Sequence, residues 1–441
     1  MRLVLLLLMF FLTALAIEPA PLAPVVPLGA QPSAHFDVDA ATDAWLATVS
    51  AAGRARSDAY FEGGYWLILW DFLYTVAVML FLLETRFSAK MRAAAERLSR
   101  FRAIQSFWYW VEFLAVTSVL MFPLTVYEDF FREHRYGLSN QGFGSWFRDQ
   151  AIGLAVTLIL GGIAFAIVMA IVRRLPCTWQ WWGAAFGVAL FAFVAMIAPV
   201  FLFPLFNTFT PLPDSGLKRE ILSLARANGI PAKDVYEVNA SRQSKRVSAN
   251  VSGFLGTERI TLNDNLLNRC SPQAILSVMG HEMGHYVLRH ILNTIFFAVI
   301  ALTILFGVLR RALDRALRWR AERWQVRGIG DTAVLPLAVL ILAVINFLAT
   351  PIGNSFIRIQ EYEADIFGLN AARQPDGEAE VDLLLGEYRK LSPGPLEEIL
   401  FFDHPSGRSR IRAAMRWKAE NLCLFDPTLS CAAEPAPERS E

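Results

Sequence analysis

Charge is scarce in this chain. Asp, Glu, Lys and Arg make up 18% of its 441 residues, and their charges cancel to a net +1. That balance gives no field to draw nucleic acid or an acidic partner. Cysteine is equally sparse: four residues, with no C-x-x-C pair and no Cys/His cluster, offer no thiolate metal site. There is no internal repeat and no glycine-rich phosphate loop, so a nucleotide is not an expected partner. Histidine occurs only six times, which makes its spacing informative.

What is abundant is apolar. Hydrophobic residues are 55% of the chain and the mean hydropathy is +0.39, too high for an ordinary soluble protein. They are gathered in runs at 64–83, 107–127, 151–172, 182–203, 291–309 and 333–351. Each run is near the twenty or so residues that cross a hydrocarbon core. The run 151–172 has no charged residue, which fits a soluble core helix badly. The chain is therefore expected to cross a bilayer six times.

The N-terminus is a separate case. Arg2 precedes an apolar stretch at 3–16, and a proline-rich stretch follows from Pro19 to Pro32. This pattern suits a secretory signal peptide over 1–17 or an uncleaved signal anchor. Either one sends 18–60 out of the cytoplasm, where 43–60 is expected to form a short amphipathic helix. Arginines agree with that polarity. Arg86, Arg92, Arg97, Arg100 and Arg102 lie between spans one and two, Arg173 and Arg174 between three and four, and seven arginines between five and six. The loop between spans two and three balances its arginines with acids. The positive-inside rule places the three basic links in the cytoplasm, and 204–290 and 352–441 on the opposite face.

On that opposite face stands His281-Glu-Met-Gly-His285. Positions i and i+4 share one side of a helix, so both imidazoles can hold one Zn²⁺. A metal held this way leaves room for a water whose proton Glu282 can accept. The surrounding unit reads as a helix over 214–228, strands at 235–238 and 259–262, and an extended segment at 247–255 between them. Ser271-Pro272 opens the His281 helix, which is expected to run with little break into the fifth span. The metal should then sit at the membrane boundary.

A catalytic zinc usually takes three protein ligands. The helix expected at 354–369 offers Glu361, Glu363 and Asp365, and two crossings return it to the face of His285. Glu361 and Asp365, four apart, share a side, while Glu363 points elsewhere. Glu361 is the expected ligand, and Asp365 an outer acceptor that orients a histidine ring.

Taken together, the chain from about residue 60 to 420 resembles the type 1 CAAX prenyl endopeptidases, integral-membrane HExxH zinc metalloproteases. The resemblance rests on Leu82-Leu-Glu-Thr-Arg86, Phe122-Pro-Leu-Thr-Val-Tyr127 and His134-Arg-Tyr-Gly137 in the first half. It continues through Ala198-Pro-Val-Phe-Leu-Phe-Pro-Leu-Phe206, Arg259-Ile-Thr-Leu-Asn-Asp264, His281 to His285 with His290, Glu361-Tyr-Glu-Ala-Asp365, and His404-Pro405 with Arg410. It implies His281, His285 and Glu361 on zinc, Glu282 as base, and His404 and Arg410 near substrate or oxyanion. His290 joins Asp365 as an outer partner of the ligands. The family's substrate-holding strand maps onto Ser248, Ala249 and Asn250, with Ser248 where an asparagine is usual. The family also resembles a seven-span protein with its zinc toward the cytosol. Here one span is missing between Glu84 and Phe122, which reverses the facing of everything downstream.

The expected fold is mainly α: a multi-span membrane helix bundle enclosing a cavity, with a small α+β zinc-metalloprotease unit at the membrane boundary. Its divisions are 18–60 outside, four spans in 61–203, catalytic parts at 204–290 and 353–422 around a hairpin at 291–352, and a tail at 423–441. Asp71 and Glu112, inside spans, can line the cavity or pair structurally. Cys423 and Cys431 can pair on an oxidising face. The expected activity is hydrolysis of protein or peptide substrates in or near the lipid bilayer. The alternative is a non-catalytic zinc-containing chaperone or scaffold.

Overall fold

A computed structural model describes residues 23–252 and 258–429. The signal segment and Cys431 lie outside the described residues. Within them, six helices are long and apolar enough to cross a membrane: Ala51–Glu84, Arg102–Arg135, Phe143–Arg174, Trp179–Leu205, His290–Trp324 and Thr332–Ala372. Each contains one of the six apolar runs and extends beyond it. The first span starts at Ala51, where the Ser50 side chain caps the helix by accepting from Gly53 N. Residues 51–60 are thus the first turns of that span rather than a separate amphipathic helix.

In chain order the main helices are α1 (Val38–Ala47), α2 (Ala51–Glu84), α3 (Phe87–Leu98), α4 (Arg102–Val126, continuing through a π-wound turn at Tyr127–Arg132), α5 (Phe143–Arg174) and α6 (Trp179–Ile197). Then come α7 (Gly216–Ala227), α8 (Asp264–Arg269), α9 (Pro272–Val287), α10 (His290–Trp324), α11 (Leu335–Ala372), α12 (Pro375–Leu385), α13 (Pro395–Phe401) and α14 (Gly407–Glu420). Helix α3 is short and charged, and lies between the first two spans without crossing. Inside the bundle, Asp71 of α2 shares a hydrogen bond with Glu128 in the π-wound turn.

The sheet has four strands, β1 (Phe209–Pro211), β2 (Val235–Val238), β3 (Ala249–Ser252) and β4 (Arg259–Asn263), in the order β1-β2-β4-β3. Only β2 and β4 are parallel, and β3, last in the order, is an edge strand. Alternate residues of β4, Ile260 and Leu262, are fully buried against Ile275, Met279 and Met283 of α9. Those three recur every fourth residue and form one side of α9. His281 and His285 recur on another side, so burial of the first set turns the second toward the site.

Helix α9 does not run smoothly into the fifth span. It ends at Val287, and Arg289 adopts a left-handed φ of 56° before α10 begins. That costly conformation for a non-glycine residue bends the chain back, so that His290 meets His285.

The segment before α2 is not a loose linker. Helix α1 packs on α14, where Arg412 pairs with Asp39 at 2.6 Å and Arg408 with Asp43 at 2.7 Å. The buried Lys418 of α14 also donates to the Ala30 carbonyl at 2.8 Å. Residues 23–50 therefore belong to the catalytic end of the molecule.

Candidate active site

Two helices build the site, and small residues let them touch. A Cβ on Gly368 of α11 would stand 2.8 Å from His281 N, and one on Gly280 would stand 3.0 Å from the Gly368 carbonyl. Gly284 is similarly tight, 3.2 Å from Ala364 Cα. The pairs Gly280/Gly284 and Ala364/Gly368 each recur at four-residue spacing, the pattern that allows close helix crossing. This contact brings Glu361 to the two histidines although 76 residues separate it from His285.

The donor atoms converge. His281 Nε2 lies 3.3 Å from Glu361 Oε2, His285 Nε2 lies 3.5 Å from Glu361 Oε1, and the two Nε2 atoms are 3.1 Å apart. Ligands roughly 2.0–2.1 Å from a tetrahedral ion are separated by roughly 3.3 Å. The three residues also form the one group of metal-ligating type found among the described residues. Size and donor chemistry both fit a zinc ion.

Each histidine turns Nε2 toward the site and Nδ1 toward a fixed partner. His281 Nδ1 donates to Asp365 Oδ1 at 2.8 Å, leaving Nε2 for the site. A longer chain serves His285. His290 Nε2 donates to Glu363 Oε2 at 3.2 Å, so His290 Nδ1 can accept from His285 Nδ1 at 2.8 Å. Glu363, on a different side of α11 from Glu361, thus reaches the site through two rings, a role that sequence spacing alone did not suggest.

Electrostatics favour a cation here. Burial lowers the His281 imidazole, but its hydrogen bonds to Asp365 and Glu361 outweigh that and raise it to about 10. Burial and the charge on His281 lower His285 to about 4, which keeps it neutral and ready to ligate. Glu282 lies beside them; burial raises its carboxyl to about 7, with the charge on His281 opposing and Glu361 adding to the rise.

His404 comes to the same carboxylate, with Nε2 3.3 Å from Glu361 Oε2 and Nδ1 2.8 Å from Asp403 Oδ1. Its loop is anchored by Arg358 of α11, which donates to the carbonyls of Glu398 and Phe402. Arg410 is placed differently from the expectation that it meets substrate or oxyanion. It is buried behind Asp365, donating from Nε to Asp365 Oδ2 at 3.0 Å and from Nη2 to Glu378 Oε1 at 3.1 Å. Its Nη1 pairs with Asp382 Oδ1 at 3.1 Å. Burial opposes the guanidinium charge, yet these carboxylates hold its pKa well above the ordinary value. With every face of its fork turned to an acid, Arg410 reaches the site only through Asp365. Glu378 and Asp382 carried no sequence signal, since nothing in a helix at 375–385 shows that Arg410, 32 and 28 residues further on, will pack against them.

Ala249 and Asn250 lie on edge strand β3, with Ser248 just before it, and α9 packs against that strand. Ser248 and Asn250 are exposed, and the Ser248 carbonyl accepts from Asn263 N at 3.0 Å.

Comparison with known proteins shows the family. Residues 211–418 match Peptidase family M48, and residues 45–208 match the family described as CAAX prenyl protease N-terminal, five membrane helices. Residues 45–208 here hold four helices of spanning length. The chain is 30% identical over 335 residues to a protein of Bacillus subtilis named uncharacterized metalloprotease YhfN, covering 76% of this chain and 78% of that one. It is 26% identical to CAAX prenyl protease 1 of Saccharomyces cerevisiae, covering 68% of this chain and 69% of the yeast protein. The fold matches the crystal structure of S. mikatae Ste24p with a TM-score of 0.71 at 22% identity, over 83% of this chain and 89% of that one. The chain therefore belongs to peptidase family M48 and is a multi-pass membrane metalloprotease.

Proposed function

We propose that the chain is a zinc endopeptidase that hydrolyses protein or peptide substrates at the membrane boundary, with His281, His285 and Glu361 as the metal ligands. The observation that carries this reading is the tetrahedral spacing of those three residues, with each imidazole Nδ1 engaged by a neighbour and each Nε2 turned to the site. Zinc bound there supplies Lewis acidity toward water and the scissile carbonyl. Glu282, the residue after His281 on the same helix, takes the proton of the attacking water and delivers it to the leaving amine. A peptide adds to the open edge of β3 through backbone hydrogen bonds, which the Ser248 departure leaves possible. His404, beside the ligand carboxylate and oriented by Asp403, steadies the developing oxyanion. Arg410 acts as a positioning residue: it fixes Asp365, which fixes His281.

The site faces away from the cytoplasm in this proposal. Residues 23–50 pack on α14, so the site lies on whichever side receives that segment, and the apolar stretch after Arg2 directs it outward. Cys177, at the opposite end of the spans, is free and exposed. The arginine-rich links also gather at that opposite end. Proteins of the cell envelope suit this orientation as substrates better than prenylated proteins, which are cytosolic. A scaffold that keeps a structural metal would have no use for Glu282.

The test is Glu282→Gln. Purified Glu282→Gln protein is expected to hold one equivalent of zinc and to lose peptide cleavage by at least about a hundredfold. Retained turnover would remove Glu282 as the base.

A further inference from the structure

At the end of the spans far from the catalytic site, α2, α10 and α11 draw apart around a groove of about 590 Å³. Ala312 and Ala316 of α10 create the space; Leu340, Ile341 and Val344 of α11 and Leu80 of α2 form its other walls. Leu80, Val308, Leu340, Ile341 and Val344 belong to the apolar runs, so hydrocarbon meets that part of the groove, while Ala312 and Ala316 lie just past the run 291–309, toward the headgroups.

The rim of the groove is of a different character. Glu84, Trp319, Arg320 and Trp324 line its mouth, and Trp319 is 74% exposed, as a tryptophan at a bilayer interface is. The Arg320 guanidinium is stacked over the Trp319 ring at 4.1 Å. Glu84 accepts from Arg323 Nε at 2.6 Å and Trp324 Nε1 at 3.1 Å, so its charge is spent mainly on Arg323. Arg320 is only 3.8 Å from the same carboxylate. Arg86, in a left-handed conformation at the end of α2, donates to the Arg323 carbonyl at 3.0 Å, which brings a third guanidinium to the mouth. Three arginines against one carboxylate leave the rim with two positive charges in excess. From 310 to its end at Trp324, α10 carries six arginines against Asp314 and Glu322.

We infer that this groove is a binding site for an anionic glycerophospholipid, with an acyl chain passing Ala312 and Ala316 to lie along Leu340, Ile341 and Val344, and the phosphate group at Arg320, Arg323 and Arg86. Guanidinium forks match phosphate oxygens in geometry, and a basic mouth between spans at headgroup depth is where an anionic lipid gains both contacts at once. A zwitterionic lipid gains only the hydrocarbon contact. This inference is independent of the protease reading, because no residue of the groove belongs to the catalytic unit.

The experiment uses the full chain, purified in detergent and stripped of co-purifying lipid. Thermal unfolding is followed while mixed micelles of phosphatidylglycerol, phosphatidylcholine of the same chain length, or inorganic phosphate are added. Phosphatidylglycerol is expected to raise the unfolding temperature by several degrees, with little response to the other two. Arg320→Gln/Arg323→Gln should shift the phosphatidylglycerol midpoint at least about tenfold upward in concentration. Ala312→Leu/Ala316→Leu, which fills the groove without changing charge, should abolish the response while peptide cleavage persists. Equal stabilisation by phosphatidylcholine would overturn the proposal, as would an equal effect of inorganic phosphate. So would an unchanged response in Arg320→Gln/Arg323→Gln, which decides the matter if the filled variant does not fold.

Discussion

Gly368→Ala isolates the contact that assembles the site. The added methyl would stand 2.8 Å from His281 N, 3.1 Å from His281 Cα and 3.2 Å from Gly280 C, all backbone atoms that cannot rotate away. Reaching ordinary van der Waals distance requires α9 and α11 to separate by roughly 0.5–1 Å, while metal–ligand distances tolerate only about 0.2 Å. Overpacking of this kind costs about 1–3 kcal/mol, and every 1.4 kcal/mol drawn from ligation is a tenfold loss of affinity. Zinc affinity in Gly368→Ala should therefore fall by roughly five- to 150-fold, measured by competition with a chromophoric chelator, and peptide cleavage at limiting zinc should fall with it. Gly353→Ala, on the same helix with open space around it, is the control and should match the parent. Parental zinc affinity in Gly368→Ala would refute the claim that this helix contact sets the distance between Glu361 and the histidines.

Two further outcomes follow from the same geometry. Arg410→Leu strands Asp365, Glu378 and Asp382 in the interior; it should cost about 3–5 kcal/mol, visible as a lower unfolding midpoint, and a variant as stable as the parent would mean these charges are not coupled. The proposed orientation predicts that a membrane-impermeant thiol reagent added to intact cells labels Ala40→Cys but spares the exposed native Cys177; the reverse pattern would place the site in the cytoplasm.

How much of this could be read in the sequence depended on the range of the interaction. Crossing a bilayer needs a long apolar run, a local property, so all six spans appeared in composition alone. The spacing of His281 and His285 is likewise a property of one helix. Glu361 was accessible because parity of crossings and the need for a third ligand narrowed the choice. The break at Arg289 was not accessible: it follows from His290 packing against His285, a contact that no propensity encodes. Nor was the docking of 23–50, which depends on salt bridges spanning more than 360 residues. The Arg410 network was hidden for the same reason. One signal was legible and unused: glycine at 280 and 284, paired with alanine and glycine at 364 and 368, marks two helices meant to meet at backbone distance.

The central claim is that His281, His285 and Glu361 together hold a metal ion, and elemental analysis of the purified chain tests it most directly. The account predicts one zinc per chain in the parent protein and near-complete loss in folded Glu361→Ala. A metal-free parent, or a Glu361→Ala protein that keeps its full zinc through dialysis against chelator, would contradict it.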